Sequence, residues 1–350
     1  MPITLDAAEF LTVSESMPFV DVRSPSEFQQ GHIPGAINIP LFNDPERAEV
    51  GTLYVQSGHD HAVLKGLDII LPKTDKLLRA LRESIHGYNL QMYCWRGGMR
   101  SLSMAWMFET NGYHVSLLNG GYKAYRRFIR TRLDEQAKVV VLGGYTGSGK
   151  TEILSHLEEM GEQVIDLEKL ASHKGSAFGG IGLPDQPTNE QFENSLFELW
   201  QRLDKNRLIW LEDESRMIGR VTMPDPIIRK IQESPLIILE VPKEVRVKRL
   251  VREYAGIDDR MLGEAVMKIE KKLGMLQVKE ALISIQEKDY ASVADKMLTY
   301  YDKSYSFSIN RREGQSRYQF PIDKFDSGEI AAGLSEFAYK QLRNGPDIPG

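Results

Sequence analysis

The stretch VVVLGGYTGSGKT, residues 139–151, decides the fold of the second half of the chain. Its first four residues are apolar and predict a buried strand, and a helix is predicted over 150–160. Between them, residues 144–151 fit the P-loop pattern G-x-x-x-x-G-K-[ST] in the strand–loop–helix setting that the motif requires. Such loops bind phosphate through backbone N–H groups, a lysine and a hydroxyl. The predicted phosphate-binding residues are Gly144, Gly147, Ser148, Gly149, Lys150 and Thr151.

Three further apolar runs follow this loop, at 164–167, 208–211 and 236–239, and helical stretches separate them. This alternation predicts a parallel α/β unit, and the pattern is mostly helical from residue 265 onward. Acidic residues lie at the C-terminal ends of two of the runs, and such residues often hold Mg²⁺ beside a P-loop. The candidates for a metal or substrate contact are Asp166, Glu212 and Asp213. Each can equally be an ordinary cap at the end of a strand.

A second loop, CWRGGMRS at 94–101, holds the single cysteine of the chain. The apolar run 90–93 predicts a strand before it, and residues 101–110 predict a helix after it. A helix N-terminus and the guanidinium groups of Arg96 and Arg100 would favour a negatively charged sulfur at Cys94. The sequence therefore predicts a nucleophilic thiol, although a small buried cysteine at a strand end is the ordinary alternative.

The composition is that of a globular protein, with 350 residues, 41% hydrophobic and 27% charged. No apolar run approaches the ~20 residues that span a bilayer. One cysteine excludes an internal disulfide framework and a cysteine-rich zinc site. These features predict a cytoplasmic protein without a membrane partner. The formal net charge is −5, but two basic runs, 122–138 and 243–252, are either RNA-binding surfaces or solvated helix faces.

Three segments in order resemble the rhodanese domain. They are DVRSPSEFQQGHIPGAINIP at 21–40, the loop CWRGGMRS at 94–101, and LLNGGYKAY at 117–125. The resemblance implies an α/β domain that carries sulfur or selenium on the loop cysteine. The predicted domains are a rhodanese-like domain at 5–134 and a P-loop domain with a helical C-terminal region at 135–350. The loop from Cys94 to Arg100 has seven residues, where simple sulfurtransferases have six, so a larger anion than sulfide is expected.

A rhodanese domain followed by a P-loop domain is similar to one family, the bacterial tRNA 2-selenouridine synthases. Further segments carry this resemblance over nearly the whole chain: 173–182, 186–193, 210–219, 240–254 and 300–312. The family implies conversion of 2-thiouridine at the tRNA wobble position to 2-selenouridine. A geranyl group is first placed on the sulfur, and selenium then displaces the S-geranyl group.

The resemblance also implies the partners and the division of labour between the loops. Geranyl diphosphate and selenophosphate are the expected co-substrates, with tRNA as the macromolecular substrate and selenophosphate synthetase as a candidate supplier. The P-loop would hold the diphosphate, and Cys94 would accept or deliver selenium as a selenenyl sulfide. No tightly bound cofactor is expected, and Mg²⁺ is a candidate ion.

Two other functions remain compatible with the residues. An ATP-dependent tRNA sulfurtransferase would use a Cys94 persulfide and would need a purine pocket, although no adenine-binding motif is visible. A non-catalytic rhodanese fused to a nucleotide switch would tolerate loss of the thiol. Both loops keep their reactive residues, which argues against the second of these.

Overall fold

The computed structural model describes residues 2–12 and 17–343. Residue contacts divide the chain into two compact units, Met1–Leu133 and Asp134–Gly350. Each unit is built on a five-stranded parallel sheet with helices, which confirms the predicted α/β class.

The first unit orders its strands β1-β5-β4-β2-β3, all parallel. Its elements in chain order are β1 (Ile3–Leu5), α1 (Ala7–Thr12), β2 (Phe19–Asp21), α2 (Pro25–Gln30), β3 (Ile37–Asn38), α3 (Asp44–Ser57), α4 (His59–Ile70), a 3₁₀ turn (Leu71–Lys73), α5 (Thr74–Ser84), β4 (Asn89–Tyr93), α6 (Met99–Glu109), β5 (His114–Leu118) and α7 (Gly121–Leu133).

The core of this unit forms where the apolar central strands meet helices α5 and α6. Met92 and Leu90 of β4 are fully buried, and they belong to one cluster with Leu81 of α5 and Phe108 of α6. A strand covered on both faces must be apolar along its length, which is why 90–93 was recognisable as a strand. This burial fixes the end of β4, and Cys94 follows directly.

Two helices between β3 and β4 were not predicted from the sequence. The mostly apolar run 67–71 resembles the strand-forming run 90–93 in sequence, but a strand interpretation is wrong, because the run lies in α4 and the 3₁₀ turn after it. Helix α3 precedes α4 and has no fully buried residue in its 14-residue length. In a helix without a buried stripe, apolar residues need not recur every 3.6 residues, so the sequence does not predict the helix.

The second unit orders its strands β12-β11-β6-β8-β7, again all parallel, and β9 and β10 form a separate antiparallel pair. Its elements are β6 (Val139–Gly144), α8 (Lys150–Glu159), β7 (Gln163–Ile165), α9 (Leu167–Ala171), α10 (Asn189–Arg202), β8 (Ile209–Glu212), β9 (Met217–Ile218), β10 (Val221–Thr222), α11 (Asp225–Glu233), β11 (Leu236–Glu240), α12 (Lys243–Tyr254), α13 (Asp259–Lys268), α14 (Glu270–Leu273), α15 (Met275–Gln286), α16 (Tyr290–Asn310), β12 (Arg317–Pro321) and α17 (Ser327–Arg343).

The C-terminal region is mostly helical, as predicted, but it also supplies a strand. Strand β12 pairs in parallel with β11 at the edge of the sheet. Its residues alternate between exposed and half-buried, so it lacks the continuous apolar run that marks the central strands. Within the described residues, no helix is both long and apolar enough to cross a membrane.

Candidate functional site: two strand–loop–helix anion sites

The cysteine loop connects β4 to α6. Cys94 is 2% exposed, and its Sγ lies 3.2 Å from the Ser101 hydroxyl on the first turns of α6. The helix begins at Met99, two residues earlier than predicted, with Gly98 as its N-cap. The thiol therefore lies beside the N-terminal turn, where the helix dipole favours negative charge on sulfur.

A second glycine turn holds this loop from behind. Gly121 has φ +60°, and a Cβ on it would lie 2.4 Å from the Cys94 carbonyl oxygen. The same turn donates a hydrogen bond of 2.8 Å from Tyr122 N to the Cys94 oxygen. Only glycine fits both the left-handed backbone and the close approach. The Cys94 backbone is thereby fixed by α7 as well as by β4.

The two arginines of the loop differ in their surroundings. Arg96 is exposed, whereas Arg100 is half-buried and forms an ion pair of 2.7 Å with Glu27 of α2. Burial alone would raise the pKa of Glu27, but the hydrogen bond and charge of Arg100 outweigh it and lower that pKa. Arg100 is thus oriented by a carboxylate, and Arg96 carries its charge at the surface.

A buried ion pair at the end of β2 was missed by the sequence analysis. Asp21 and Arg23 are 0% and 1% exposed and join through several hydrogen bonds, and Arg23 also donates to the Gly31 oxygen at 2.6 Å. The guanidinium lies 3.8 Å from the centroid of the Tyr122 ring. The segment 21–40 contained both residues, but only the fold brings Tyr122 over them. This pair braces the turn that supports Cys94.

The P-loop connects β6 to α8, as predicted. Gly147 and Gly149 have φ of +78° and +81°, and Gly149 is the residue before α8 begins. The Ser148 hydroxyl is buried and has no hydrogen-bond partner among the residues that the structure describes. The Lys150 ammonium lies 3.4 Å from the Gly144 carbonyl oxygen. An unpartnered buried hydroxyl in such a loop is a group prepared for a ligand.

Three carboxylates surround this lysine. Glu168, Glu212 and Glu214 each place an oxygen within 4.8 Å of the others, and Glu212 Oε1 lies 3.8 Å from Lys150 Nζ. The other oxygen of Glu212 is buried without a hydrogen-bond partner among the described residues. Burial would lower the pKa of Lys150, but the nearby carboxylates outweigh it and raise that pKa.

The same crowding acts on the carboxylates in the opposite sense. Burial, and then repulsion by Glu168, raises the pKa of Glu212 well above its usual range. The same two causes raise the pKa of Glu214 to about 8. Burial likewise raises the pKa of Glu168. Carboxylates held this close resist full ionisation unless a cation joins them.

The other two predicted acids are engaged elsewhere. Asp166 is the N-cap of α9 and accepts a hydrogen bond of 2.8 Å from Lys169 N. Asp213 is buried and lies 2.7 Å from Arg312, and its second oxygen accepts from the Tyr305 hydroxyl at 2.8 Å. Neither belongs to the group formed by Glu168, Glu212 and Glu214.

Residues far along the chain complete the P-loop, and sequence reasoning missed them. The Tyr305 hydroxyl accepts a hydrogen bond from Gly144 N at 2.8 Å. Arg246 of α12 makes two 2.8 Å hydrogen bonds to Asp302 of α16 and one to the Thr146 carbonyl oxygen. The basic run 243–252 is therefore not simply a solvated face. The resemblance of segment 240–254 to the family was the sequence signal that could have identified Arg246.

The other basic run forms α7, which is amphipathic. Tyr122, Tyr125 and Ile129 are buried, whereas Lys123, Arg127 and Arg130 are exposed. A row of exposed cations at this spacing lies on one helix face and suits an anionic polymer.

Comparison with known proteins gives two matches that follow the two units. Residues 6–128 match the rhodanese-like domain family, and residues 137–325 match the family described as the tRNA 2-selenouridine synthase AAA domain.

Relatives named tRNA 2-selenouridine synthase align with most of the chain. One from Sulfurovum is 34% identical over 93% of this chain and 96% of its own length. One from Bdellovibrio bacteriovorus is 34% identical over 85% of this chain and 90% of its own. A solved N-terminal domain from Clostridium difficile 630, described as part of an ATP/GTP-binding protein, is 39% identical, covers 36% of this chain and 98% of that domain, and has a TM-score of 0.34. The two relatives and the family match over residues 137–325 show that the chain belongs to the tRNA 2-selenouridine synthase family of enzymes.

Proposed function

We propose that this enzyme converts wobble 2-thiouridine of tRNA to 2-selenouridine through an S-geranylated intermediate, with geranyl diphosphate and selenophosphate as co-substrates. One observation carries the proposal: a single chain holds both a buried thiol in a rhodanese-type loop and a P-loop whose lysine is partly buried beside a carboxylate. Each step of the proposed chemistry needs one of these sites. A cytoplasmic location and supply of selenophosphate by selenophosphate synthetase belong to the same proposal.

The first step is alkylation, which we assign to the P-loop. The thiocarbonyl sulfur attacks C1 of geranyl diphosphate, a C–S bond forms, and the C–O bond breaks with its electron pair on the diphosphate. N3 of the base loses its proton. The glycine loop and Lys150 stabilise the charge that develops on the leaving group, and donors placed in advance for this purpose are catalytically the most effective.

The second step is exchange at C2, which we assign to the Cys94 loop. Selenium forms a bond to C2, and the C2–S bond breaks with its electron pair on sulfur, which leaves as geranyl thiol. The Cys94 thiolate attacks phosphorus of selenophosphate, and the P–Se bond breaks with its electron pair on selenium, which reaches C2 as selenide. Water then hydrolyses the S-phosphocysteine. A selenenyl sulfide on Cys94 would instead require a two-electron oxidant, which this reaction does not supply. In the net reaction water takes up the phosphoryl group as phosphate, N3 regains a proton, and selenium stays in the −2 state. No external electron donor is required.

A magnesium ion fits the acidic group at the P-loop. Glu168, Glu212, Glu214 and the Thr151 hydroxyl supply the hard oxygen donors that Mg²⁺ prefers, and Glu212 Oε2 lacks another partner among the described residues. These residues would hold the ion, which would neutralise diphosphate charge. The carboxylates alone would repel that anion.

Nucleoside analysis of a defined RNA tests the proposal. A synthetic anticodon stem-loop with wobble 2-thiouridine is incubated with the enzyme and either co-substrate or both, and its nucleosides are identified by mass spectrometry. We expect S-geranyl-2-thiouridine with geranyl diphosphate alone, 2-selenouridine with both, and neither product with selenophosphate alone. Equal selenation without geranyl diphosphate contradicts the proposal.

Ligand stabilisation separates this function from the ATP-dependent one. A ligand that binds only the folded protein raises its unfolding temperature in proportion to ln(1 + [L]/Kd). Geranyl diphosphate is expected to raise it more than ATP at equal concentration. The reverse order favours the sulfurtransferase.

A further inference from the structure

An apolar cavity adjoins Cys94 inside the first unit, and neither the P-loop chemistry nor the selenium anion accounts for it. Its volume is about 700 Å³, within the ~300–1,000 Å³ range of small-molecule pockets. Helices α3 and α4 form two of its walls, Leu41 and Phe42 contribute a third, and the cysteine loop itself closes it. Cys94 is therefore one of the residues that line the cavity.

The walls are unusually apolar for a surface-accessible site. Tyr54 and Val55 of α3 and Leu67 of α4 line the cavity, and they are 58%, 83% and 46% exposed. Helix α3 buries none of its residues fully in the protein core. Grouped, exposed apolar side chains around a concavity mark a binding site for an apolar ligand.

The charged groups at this cavity are of one sign. Arg47, Arg96 and Arg100 line it, whereas none of the described residues that line it is an aspartate or glutamate. Glu27 lies nearby and is shared by Arg47 and Arg100, at 3.7 and 2.7 Å. Three cations face one carboxylate, so the rim keeps a positive charge. The matching ligand is an apolar chain attached to a polyanion.

We propose that this cavity binds the linear prenyl chain of the S-alkylated wobble nucleoside and so presents its C2 atom to Cys94. The arginines then face the phosphates of the attached RNA. This inference rests on the proposed function in that it takes the prenylated nucleoside as the intermediate. It adds that the cysteine unit, separately from the diphosphate site, recognises the alkyl chain.

The recognition has a consequence for substrate choice. A chain buried against α3 and α4 contributes binding in proportion to its apolar area. An RNA with a bare thiocarbonyl gains nothing from the cavity. The enzyme is thereby directed to exchange selenium only at nucleosides that already carry the better leaving group.

Binding of synthetic RNA tests the inference on the full chain. Anticodon stem-loops carry 2-thiouridine, its S-methyl derivative or its S-geranyl derivative, and their dissociation constants are measured by fluorescence anisotropy. We expect S-geranyl RNA to bind at least about tenfold more tightly than S-methyl RNA. Equal affinities for the two derivatives overturn the inference.

A matched pair of variants locates the effect. Leu67 and Leu64 lie on the same helix and are 46% and 63% exposed, but only Leu67 lines the cavity. Leu67→Glu is expected to remove the preference for the geranyl chain, since it places a carboxylate against that chain. Leu64→Glu is expected to keep it. Equal behaviour of the two variants overturns the proposed location.

A second variant guards against misfolding, and a second assay separates the two proposals. Val55→Asp changes a side chain that is 83% exposed, so it perturbs the wall of the cavity with little effect on folding. It should behave like Leu67→Glu.

If wild-type enzyme fails to form S-geranyl nucleoside from geranyl diphosphate, the proposed function fails, while binding of chemically made S-geranyl RNA still reports on the cavity. If wild-type enzyme forms it and Leu67→Glu binds S-geranyl RNA normally, only the inference fails.

Discussion

The two loops share a strand–loop–helix backbone but lie in different electrostatic surroundings. Each follows the middle strand of a five-stranded parallel sheet, β4 or β6, and leads into a helix. The cysteine loop has a neutral hydroxyl beside its sulfur, arginines at its rim and an apolar cavity at its side. The P-loop has a partly buried lysine among three carboxylates. Parallel sheets favour anion sites at this edge, but the chemistry depends on side chains supplied by other segments.

This difference implies that the loops serve different kinds of reacting atom. A soft, polarisable nucleophile such as sulfur or selenium needs few strong charges and gains from exclusion of water. A diphosphate leaving group carries concentrated charge and needs cations, and the carboxylates at the P-loop suit a metal ion in that role. The predictions below test whether the two sites can be inactivated separately.

The largest expected effect is that of Cys94→Ser on selenation. Loss of the nucleophile should reduce formation of 2-selenouridine on the order of 10³–10⁶-fold, as with other covalent nucleophiles. Formation of the S-geranyl nucleoside should continue, because the P-loop is intact. Mass spectrometry of the wobble nucleoside should therefore show the S-geranyl intermediate accumulating. Equal loss of both products would mean that Cys94 is also needed for geranyl transfer, which contradicts the assignment of the two steps to separate loops.

Lys150→Ala should give the complementary result. Removing one preformed charge from the leaving-group site should slow geranyl transfer about 10²–10³-fold. Selenation of RNA that already carries synthetic S-geranyl-2-thiouridine should proceed at the wild-type rate. Lys138→Ala, at an exposed position just before β6, is the matched control and should leave both rates unchanged. Slow selenation of the preformed intermediate in Lys150→Ala would contradict the assignment.

The sequence predicted the central strands and both loops, because continuous apolar runs and glycine patterns are local signals. It did not predict α3, whose apolar residues face a cavity, or β12, an edge strand with alternating exposure. A helix or strand is recognisable from its sequence when the core covers one face of it. These two elements lack that cover along most of their length.

Only part of each candidate site was predictable from the sequence. Cys94, the P-loop residues and Glu212 lie within or directly after the runs that define them. Glu214 belongs to the same acidic run, 212–214, in which Glu212 and Asp213 were the preferred candidates. Glu168, by contrast, comes from α9, and Tyr305 comes from a helix about 160 residues away. No local pattern marks such partners. The sequence therefore indicated the acidic run, but only the structure shows that Glu168 joins Glu212 and Glu214 and that Asp213 does not.

Ser101→Ala also tests the cysteine loop, and its expected effect on selenation is smaller than that of Cys94→Ser. The Ser101 hydroxyl lies 3.2 Å from Cys94 Sγ and 3.0 Å from the Gly98 carbonyl oxygen. When sulfur is ionised, the hydroxyl can rotate to donate to it, and a hydrogen bond to a charged group is worth about 1.5–3 kcal/mol. Selenation should slow about 10–100-fold while geranyl transfer is unaffected. Ser84→Ala, at an exposed position on α5 and outside the cavity lining, is the control. An unchanged selenation rate in Ser101→Ala would show that the hydroxyl is only structural.

The smallest expected effect is a change in the pH dependence of stability when Glu214 is replaced by glutamine. The pKa of Glu214 is raised from 4.5 to about 8 by burial and by Glu168, so the folded protein binds its proton more tightly than the unfolded chain. Its contribution to stability is complete below pH 4.5 and is lost as the pH rises through about 8. Glutamine cannot titrate. With EDTA present to remove divalent cations, the unfolding temperature of Glu214→Gln should therefore gain a few degrees on that of the wild type between pH 5 and pH 8.5. Glu336→Gln, at an exposed position on α17, should follow the wild type throughout. A constant difference between Glu214→Gln and wild type across this range would mean that the P-loop carboxylates do not compete for charge, and the electrostatic contrast between the two loops would be lost.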